Sequence, residues 1–82
     1  MTPDQQEKLR QVFRETFDLD AATAVDDLAY QGIPTWDSVG HMRLVAAIET
    51  AFDLMLDTDD VIGLSDFAKG LDIVGRHLTS EG

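Results

Sequence analysis

The sequence predicts a small all-α domain, in which three main helices and one short helical turn form a bundle with a long first loop. Three observations support this class. Apolar residues recur at helical spacing in three segments, residues that cap helices precede those segments, and no stretch alternates as a strand would. With 82 residues, we expect one domain over 1–82, because chains divide into several domains only at about 250 residues.

The first helix is predicted to begin at Pro3 and to run to about Phe17. Thr2 and Gln5 have the spacing of a capping box, and proline occupies the first helical position. The residues that follow at helical spacing form one mostly apolar stripe, made of Leu9, Val12, Phe13, Thr16 and Phe17.

Residues 18–36 have no sustained period and contain Gly32 and Pro34. This segment is longer than the roughly 12 to 15 residues usual for a structureless loop, so it must pack on the core or be functional. A helical turn is compatible with residues 21–28. The predicted apolar anchors onto the core are Leu28, Tyr30, Ile33 and Trp36.

The second helix is predicted to begin beside Ser38, with Asp37 as its N-cap. It has two apolar stripes. The first must face the core and consists of Leu44, Val45, Ile48 and Phe52. The second is formed by Val39, Met42 and Ala46. It fits either a docking surface or packing under the long loop, and periodicity alone does not separate the two.

The end of the chain predicts one helical turn and one further helix. Thr58 is the expected cap of the short turn, which ends at Gly63 and has two aspartates in its first turn, where the helix dipole favours them. Ser65 is the expected cap of the last helix. The face that this helix turns to the core is predicted to contain Phe67, Leu71, Val74 and Leu78.

Charge and composition exclude several classes of function. The formal net charge is -10, and residues 18–66 hold eleven acidic residues against a single base, Arg43. Such a surface repels nucleic-acid phosphates and anionic membranes. It suits a basic protein partner or simply keeps the chain soluble. No apolar run could span a bilayer and no secretory signal is visible, so we expect a cytoplasmic protein. The absence of cysteine excludes disulfides and thiolate chemistry in the chain itself.

Ser38 is the residue at which chemistry is possible, because the N-terminus of a helix stabilises a phosphate. By itself, a serine after an Asp cap is ordinary helix chemistry. A hydrolase triad with His41 is disfavoured, since no strand precedes the serine and no oxyanion hole is evident. A calcium loop starting at Asp57 lacks its glycine, and the two histidines are too far apart to form a metal site. We therefore predict no metal site and no catalytic residues.

Residues 36–42, Trp-Asp-Ser-Val-Gly-His-Met, resemble the attachment motif of acyl carrier proteins. Asp-Ser-Leu is the usual core of that motif, and a Trp-Asp-Ser-Leu-Gly-His form is common among free-standing bacterial members. The one departure is Val39 in place of leucine. The resemblance extends over the whole chain, since the predicted order of helices, the long first loop and the length follow that family's plan.

The resemblance implies a role for the motif residues. In the family, the serine hydroxyl receives 4′-phosphopantetheine from coenzyme A, and the thiol of this arm carries acyl groups as thioesters. Ser38 would be the attachment residue and Asp37 its neighbour at the phosphopantetheinyl transferase. We expect His41 at the rim of the core near the arm. The expected partners are that transferase and the enzymes that load and process acyl groups, acting on a monomeric carrier.

The docking surface for these partners is predicted to follow the second apolar stripe. It would comprise the apolar residues Val39, Met42 and Ala46 with the charged residues Arg43, Glu49, Asp53, Asp59 and Asp60. Arg43 departs from the acidic second helix of carriers in fatty-acid synthesis. This favours a dedicated biosynthetic pathway over the housekeeping carrier. We expect a stand-alone carrier, because the chain starts at methionine, holds one domain and has no Pro/Gly-rich linker. Two alternatives stay open: an aminoacyl or peptidyl carrier, and an unmodified acidic helical interaction domain.

Overall fold

The computed structural model describes residues 1–80, and this part of the chain contains four helices. They are α1 (Pro3–Thr16), α2 (Ser38–Phe52), α3 (Thr58–Gly63) and α4 (Phe67–Ser80). Strand-like pairing within residues 1–80 is limited to one isolated antiparallel bridge between Ala29 and Asp66. The predicted all-α class is confirmed, including the short third helix and the long first loop. Residues 81 and 82 of the expected domain lie outside the described residues.

The start of α1 follows the predicted capping box. The Thr2 side chain accepts the Gln5 N–H at 3.2 Å, and the Gln5 side chain accepts the Thr2 N–H at 2.8 Å. These two bonds satisfy donors that have no partner within the helix. The helix ends at Thr16, with Phe17 as its C-cap, so both predicted ends are confirmed.

The predicted caps of the last two helices are each wrong by one residue. Asp57, and not Thr58, is the N-cap of α3, and its carboxylate accepts an N–H from three residues later at 2.8 Å. At α4 the carboxylate of Asp66 accepts the corresponding N–H at 2.7 Å, whereas Ser65 was expected to do so. In both cases an aspartate lies beside a hydroxyl residue. The charged acceptor has the additional attraction of the helix dipole, and it takes the cap.

The core combines side chains from the helices and the loops between them. On α2, the predicted core residues Leu44, Val45 and Ile48 are buried. Phe52 was expected to join them but is only half-buried, and Lys8 Nζ lies 5.2 Å from its ring centroid. The fully buried side chains are Leu9, Phe13, Val25, Trp36, Leu44, Ile48, Leu64, Phe67 and Val74.

The long first loop packs on this core through apolar anchors. Trp36 is completely buried, and Leu28 and Ile33 pack partly buried against the core, as predicted. Tyr30 is exposed instead, so its prediction as a core anchor is wrong. Val25 is fully buried although the sequence pattern did not single it out. The helical turn with which residues 21–28 were compatible does not form, and only single hydrogen-bonded turns occur there.

Polar side chains of α1 hold the same loop from the other side. Arg10 donates to both carboxylate oxygens of Asp26, at 2.9 and 3.2 Å. This guanidinium lowers the pKa of Asp26, chiefly through the hydrogen bond. Arg14 donates to the Thr23 carbonyl at 3.1 Å. The loop is therefore anchored along its length, and the residues at its end have a defined position against α2.

Candidate functional site

Ser38 is the first residue of α2, and its side chain is exposed. Asp37 caps the helix in an extended conformation, and its carboxylate accepts the Gly40 N–H at 2.9 Å. The chain therefore turns sharply from the loop into the helix at this serine. The predicted helix start and N-cap are confirmed, and the geometry presents a hydroxyl to solvent on a rigid helix end.

The backbone before Ser38 is held by Trp36. The indole stacks on the Phe17 ring at a centroid distance of 5.3 Å and meets the Phe13 ring edge-on at 5.5 Å. Gly40 lies directly against the carbonyl of Thr35, with no room for a side chain. Buried aromatic packing and close backbone contact thus position residues 36–42.

His41 connects three elements around the site. Its Nδ1 accepts the indole N–H of Trp36 at 3.0 Å, and its Nε2 lies 2.8 Å from the Val61 carbonyl oxygen. An indole nitrogen only donates, so Nδ1 carries no proton, and Nε2–H donates to the carbonyl. His41 therefore joins the end of the first loop to α3 through its two ring nitrogens. The His41 side chain is half-buried.

Tyr30 is a site residue that the sequence analysis missed. Its hydroxyl lies 3.2 Å from Ser38 Oγ, within hydrogen-bond distance. The Tyr30 N–H donates to the Ser65 carbonyl at 2.8 Å, which ties this part of the loop to the α3–α4 connection. No sequence signal could have identified the contact, because Tyr30 lies in a segment without periodicity and only the folded loop brings it to Ser38.

A cavity of about 210 Å³ opens next to Tyr30, whose hydroxyl contacts Ser38. It lies between the first loop, α2 and α3, and its walls are mostly apolar. Of its lining residues, His41 belongs to the motif and Tyr30 contacts Ser38. The full lining is Tyr30, His41, Val61, Ile62, Leu64 and Ser65.

The second apolar stripe of α2 is exposed and does not lie under the first loop. Val39 is 64% exposed and Met42 is 56% exposed, and Ala46 is exposed as well. The stripe runs along α2 from the residue after Ser38. Of the two interpretations left open by periodicity, packing under the loop is excluded.

The charged residues predicted around this stripe divide into two groups. Arg43, Asp53 and Asp59 are exposed. Glu49 and Asp60 face other parts of the chain instead. Glu49 accepts the backbone N–H of Leu56 at 3.0 Å and so holds the α2–α3 connection.

Asp60 ties α3 to α4 through His77, whose Nε2 lies 2.6 Å from the carboxylate. The hydrogen bond from His77 lowers the pKa of Asp60, and burial opposes that shift. Because α3 forms one wall of the cavity, the Asp60–His77 pair helps to hold that wall against α4.

Two further features are absent from residues 1–80. No group of three or more His, Cys, Asp or Glu side chains there is arranged to hold a metal ion. None of the helices in that part of the chain is both long and apolar enough to cross a membrane.

Comparison with known proteins places the fold. No protein-family model matches the sequence, and the search of curated proteins gave no match. Among solved structures, the chain is similar to the solution structure of a holo acyl carrier protein from Geobacter metallireducens. The TM-score is 0.80 at 24% sequence identity, and the match covers 93% of this chain and 87% of that one. The four helices and the long first loop therefore form the fold of an acyl carrier protein.

Proposed function

We propose that this chain is an acyl carrier protein that bears 4′-phosphopantetheine on Ser38. The observation that carries the proposal is the exposed Ser38 hydroxyl at the first residue of α2, directly after the Asp37 cap. Its motif, residues 36–42, resembles the family's attachment motif, and the chain has the fold of a protein described in its holo form. When attached, the arm supplies a thiol that carries acyl groups as thioesters.

The residues present fit such an arm. Ser38 offers a hydroxyl on a rigid helix end, and a mostly apolar cavity lies next to Tyr30, whose hydroxyl contacts Ser38. In the attachment reaction a bond forms between Ser38 Oγ and the phosphorus of coenzyme A that bears the pantetheine. The phosphoanhydride bond breaks and 3′,5′-ADP leaves, while the hydroxyl proton passes to a base on the transferase. The chain needs only to present the hydroxyl, since the transferase supplies the metal and the base.

The partner surface that we propose runs along α2 from the serine. Its apolar part is Val39, Met42 and Ala46, which are exposed and lie in line. Exposed charges of both signs at Arg43 and Asp53 border it. Transient complexes of this kind are steered by charge and held by a few apolar contacts. The partners are the phosphopantetheinyl transferase and the acyl-loading and acyl-processing enzymes, in a dedicated biosynthetic pathway.

Modification in vitro tests the proposal. Incubation of the chain with coenzyme A and a broad-specificity phosphopantetheinyl transferase should add the mass of one arm, located at Ser38 by peptide mass spectrometry. Ser38→Ala should gain nothing, whereas Ser65→Ala, which removes another exposed serine, should be modified as the wild type is. No mass gain with several such transferases would overturn the proposal.

A further inference from the structure

Tyr30 stands between the attachment serine and the cavity. Its hydroxyl is 3.2 Å from Ser38 Oγ, and its ring is part of the cavity lining. The side chain remains 37% exposed. Because water can hydrogen-bond to the Tyr30 hydroxyl, burial does not require this group to have a partner on the protein. The contact with Ser38 is a consequence of where the loop places the ring.

That placement is fixed by the backbone and by ring packing. The neighbouring residue Ala29 pairs with Asp66 in the isolated bridge, and the Tyr30 N–H donates to the Ser65 carbonyl. The ring meets the Trp36 and His41 rings edge-on, at centroid distances of 6.4 and 5.4 Å. Rotation of the Tyr30 side chain away from Ser38 would therefore break its ring contacts with Trp36 and His41.

We propose that Tyr30 is a positioning residue for the group attached to Ser38. Its hydroxyl donates to the phosphodiester, and its ring directs the arm along the cavity between the first loop, α2 and α3. This inference rests on the proposed function.

The chemistry of Oγ explains why the hydroxyl changes its acceptor. Once Oγ is esterified it is a poor acceptor, and the non-bridging oxygens on the adjacent phosphorus carry the negative charge. A Tyr30 hydroxyl already within hydrogen-bond distance of Oγ has these oxygens as its strongest nearby acceptors.

The cavity gives this bond a directional consequence. The arm would be joined to the phosphorus through a different oxygen from the one that Tyr30 binds, and Tyr30 lines the cavity. An arm whose phosphate is held there begins against the apolar side chains of Val61 and Ile62 on α3. Without the hydroxyl, the phosphate would be free to rotate into solvent, and the arm would sample directions away from α3.

Two variants of the full chain distinguish the role of the Tyr30 hydroxyl from the role of the cavity wall. Tyr30→Phe removes only the hydroxyl and retains the ring packed on Trp36 and His41. Ile62→Ala, at a residue that is 74% exposed, trims the opposite wall and retains the hydroxyl. Each variant is loaded with the arm, and loading is checked by mass. The readouts are the phosphorus-31 NMR shift of the phosphodiester and the amide shifts of α3 caused by arm attachment.

In Tyr30→Phe, the phosphorus signal should move to that of the same modified chain unfolded in urea. The loss of a hydrogen bond to a charged group should lower the equilibrium constant for the oriented arm about tenfold. The amide shifts at Val61 should therefore fall to less than half of those in the wild type. Ile62→Ala should keep the wild-type phosphorus shift.

The inference is overturned if Tyr30→Phe retains the wild-type phosphorus and amide shifts. It is also overturned if both variants move the phosphorus signal equally, since the cavity wall and not the hydroxyl would then be responsible. The absence of any mass gain in the wild-type chain is a different failure, because it overturns the proposed function together with this inference.

Discussion

Substitution of Gly40 by alanine tests the close packing at the start of α2. In a helix interior, glycine to alanine normally stabilises by about 1 kcal/mol, because alanine has the higher helix propensity. At Gly40 the structure predicts the opposite sign. An added Cβ would overlap the carbonyl oxygen of Thr35, and it would lie 3.1 Å from that carbonyl carbon and 3.3 Å from the Phe17 ring.

The magnitude follows from what must move. The Thr35 carbonyl is backbone, and it immediately precedes the buried Trp36, so it cannot turn aside as a flexible side chain could. Overpacking of this kind costs about 1 to 3 kcal/mol, and a cost of about 1 kcal/mol occurs only where the surrounding atoms can shift easily. We expect a net loss of about 2 kcal/mol in the free energy of unfolding. For a domain of this size, that lowers Tm by about 8 to 16 °C.

Gly75→Ala is the matched control on α4. A Cβ there would meet only the Met1 side chain, at 3.4 Å from Cγ, which is an ordinary contact. Helix propensity should therefore dominate, and Tm should rise by about 4 °C. Thermal melts followed by circular dichroism measure both variants. If Gly40→Ala melts at or above the wild-type temperature, the Thr35 backbone does not fix the start of α2.

Three further predictions use other contacts. Met42→Ala should lower the kcat/KM of modification about fivefold, because it removes an apolar anchor. Met55→Ala should leave kcat/KM unchanged, since this methionine is 81% exposed but lies outside the stripe. Equal effects of the two variants would contradict the proposed docking surface. His41→Phe keeps a ring but leaves an indole N–H and an α3 carbonyl unpaired, so urea denaturation should show a loss of about 2 kcal/mol, and a loss below about 0.5 kcal/mol would exclude the bridging role. His77 lowers the pKa of Asp60, so this contribution to stability is complete above the unfolded pKa of about 4 and is lost as pH falls through the folded pKa. Asp60→Asn should therefore weaken the acid dependence of the unfolding free energy, and an unchanged pH profile in urea titrations would show that the pair contributes nothing.

Local signals in the sequence were sufficient for the helices and for the candidate serine. Capping at Thr2 and Asp37 depends on residues within one turn, so the starts of α1 and α2 could be predicted from their neighbours alone. Helical periodicity similarly identified Leu44 and Ile48 as core. The motif around Ser38 is contiguous, which is why it could be recognised before any fold was known.

The tertiary structure decided what depends on residues distant in sequence. The exposure of Met42 could be established only once the position of the first loop was known. That loop is held by the buried Val25 and by the Arg10–Asp26 ion pair, and no periodic pattern in the sequence signals either contact. The contact between Tyr30 and Ser38 likewise exists only because the loop is tied to the α3–α4 connection. Sequence periodicity specifies which face of a helix is apolar. What covers that face is decided by long-range packing, and at α2 this packing leaves the stripe beside Ser38 open to solvent.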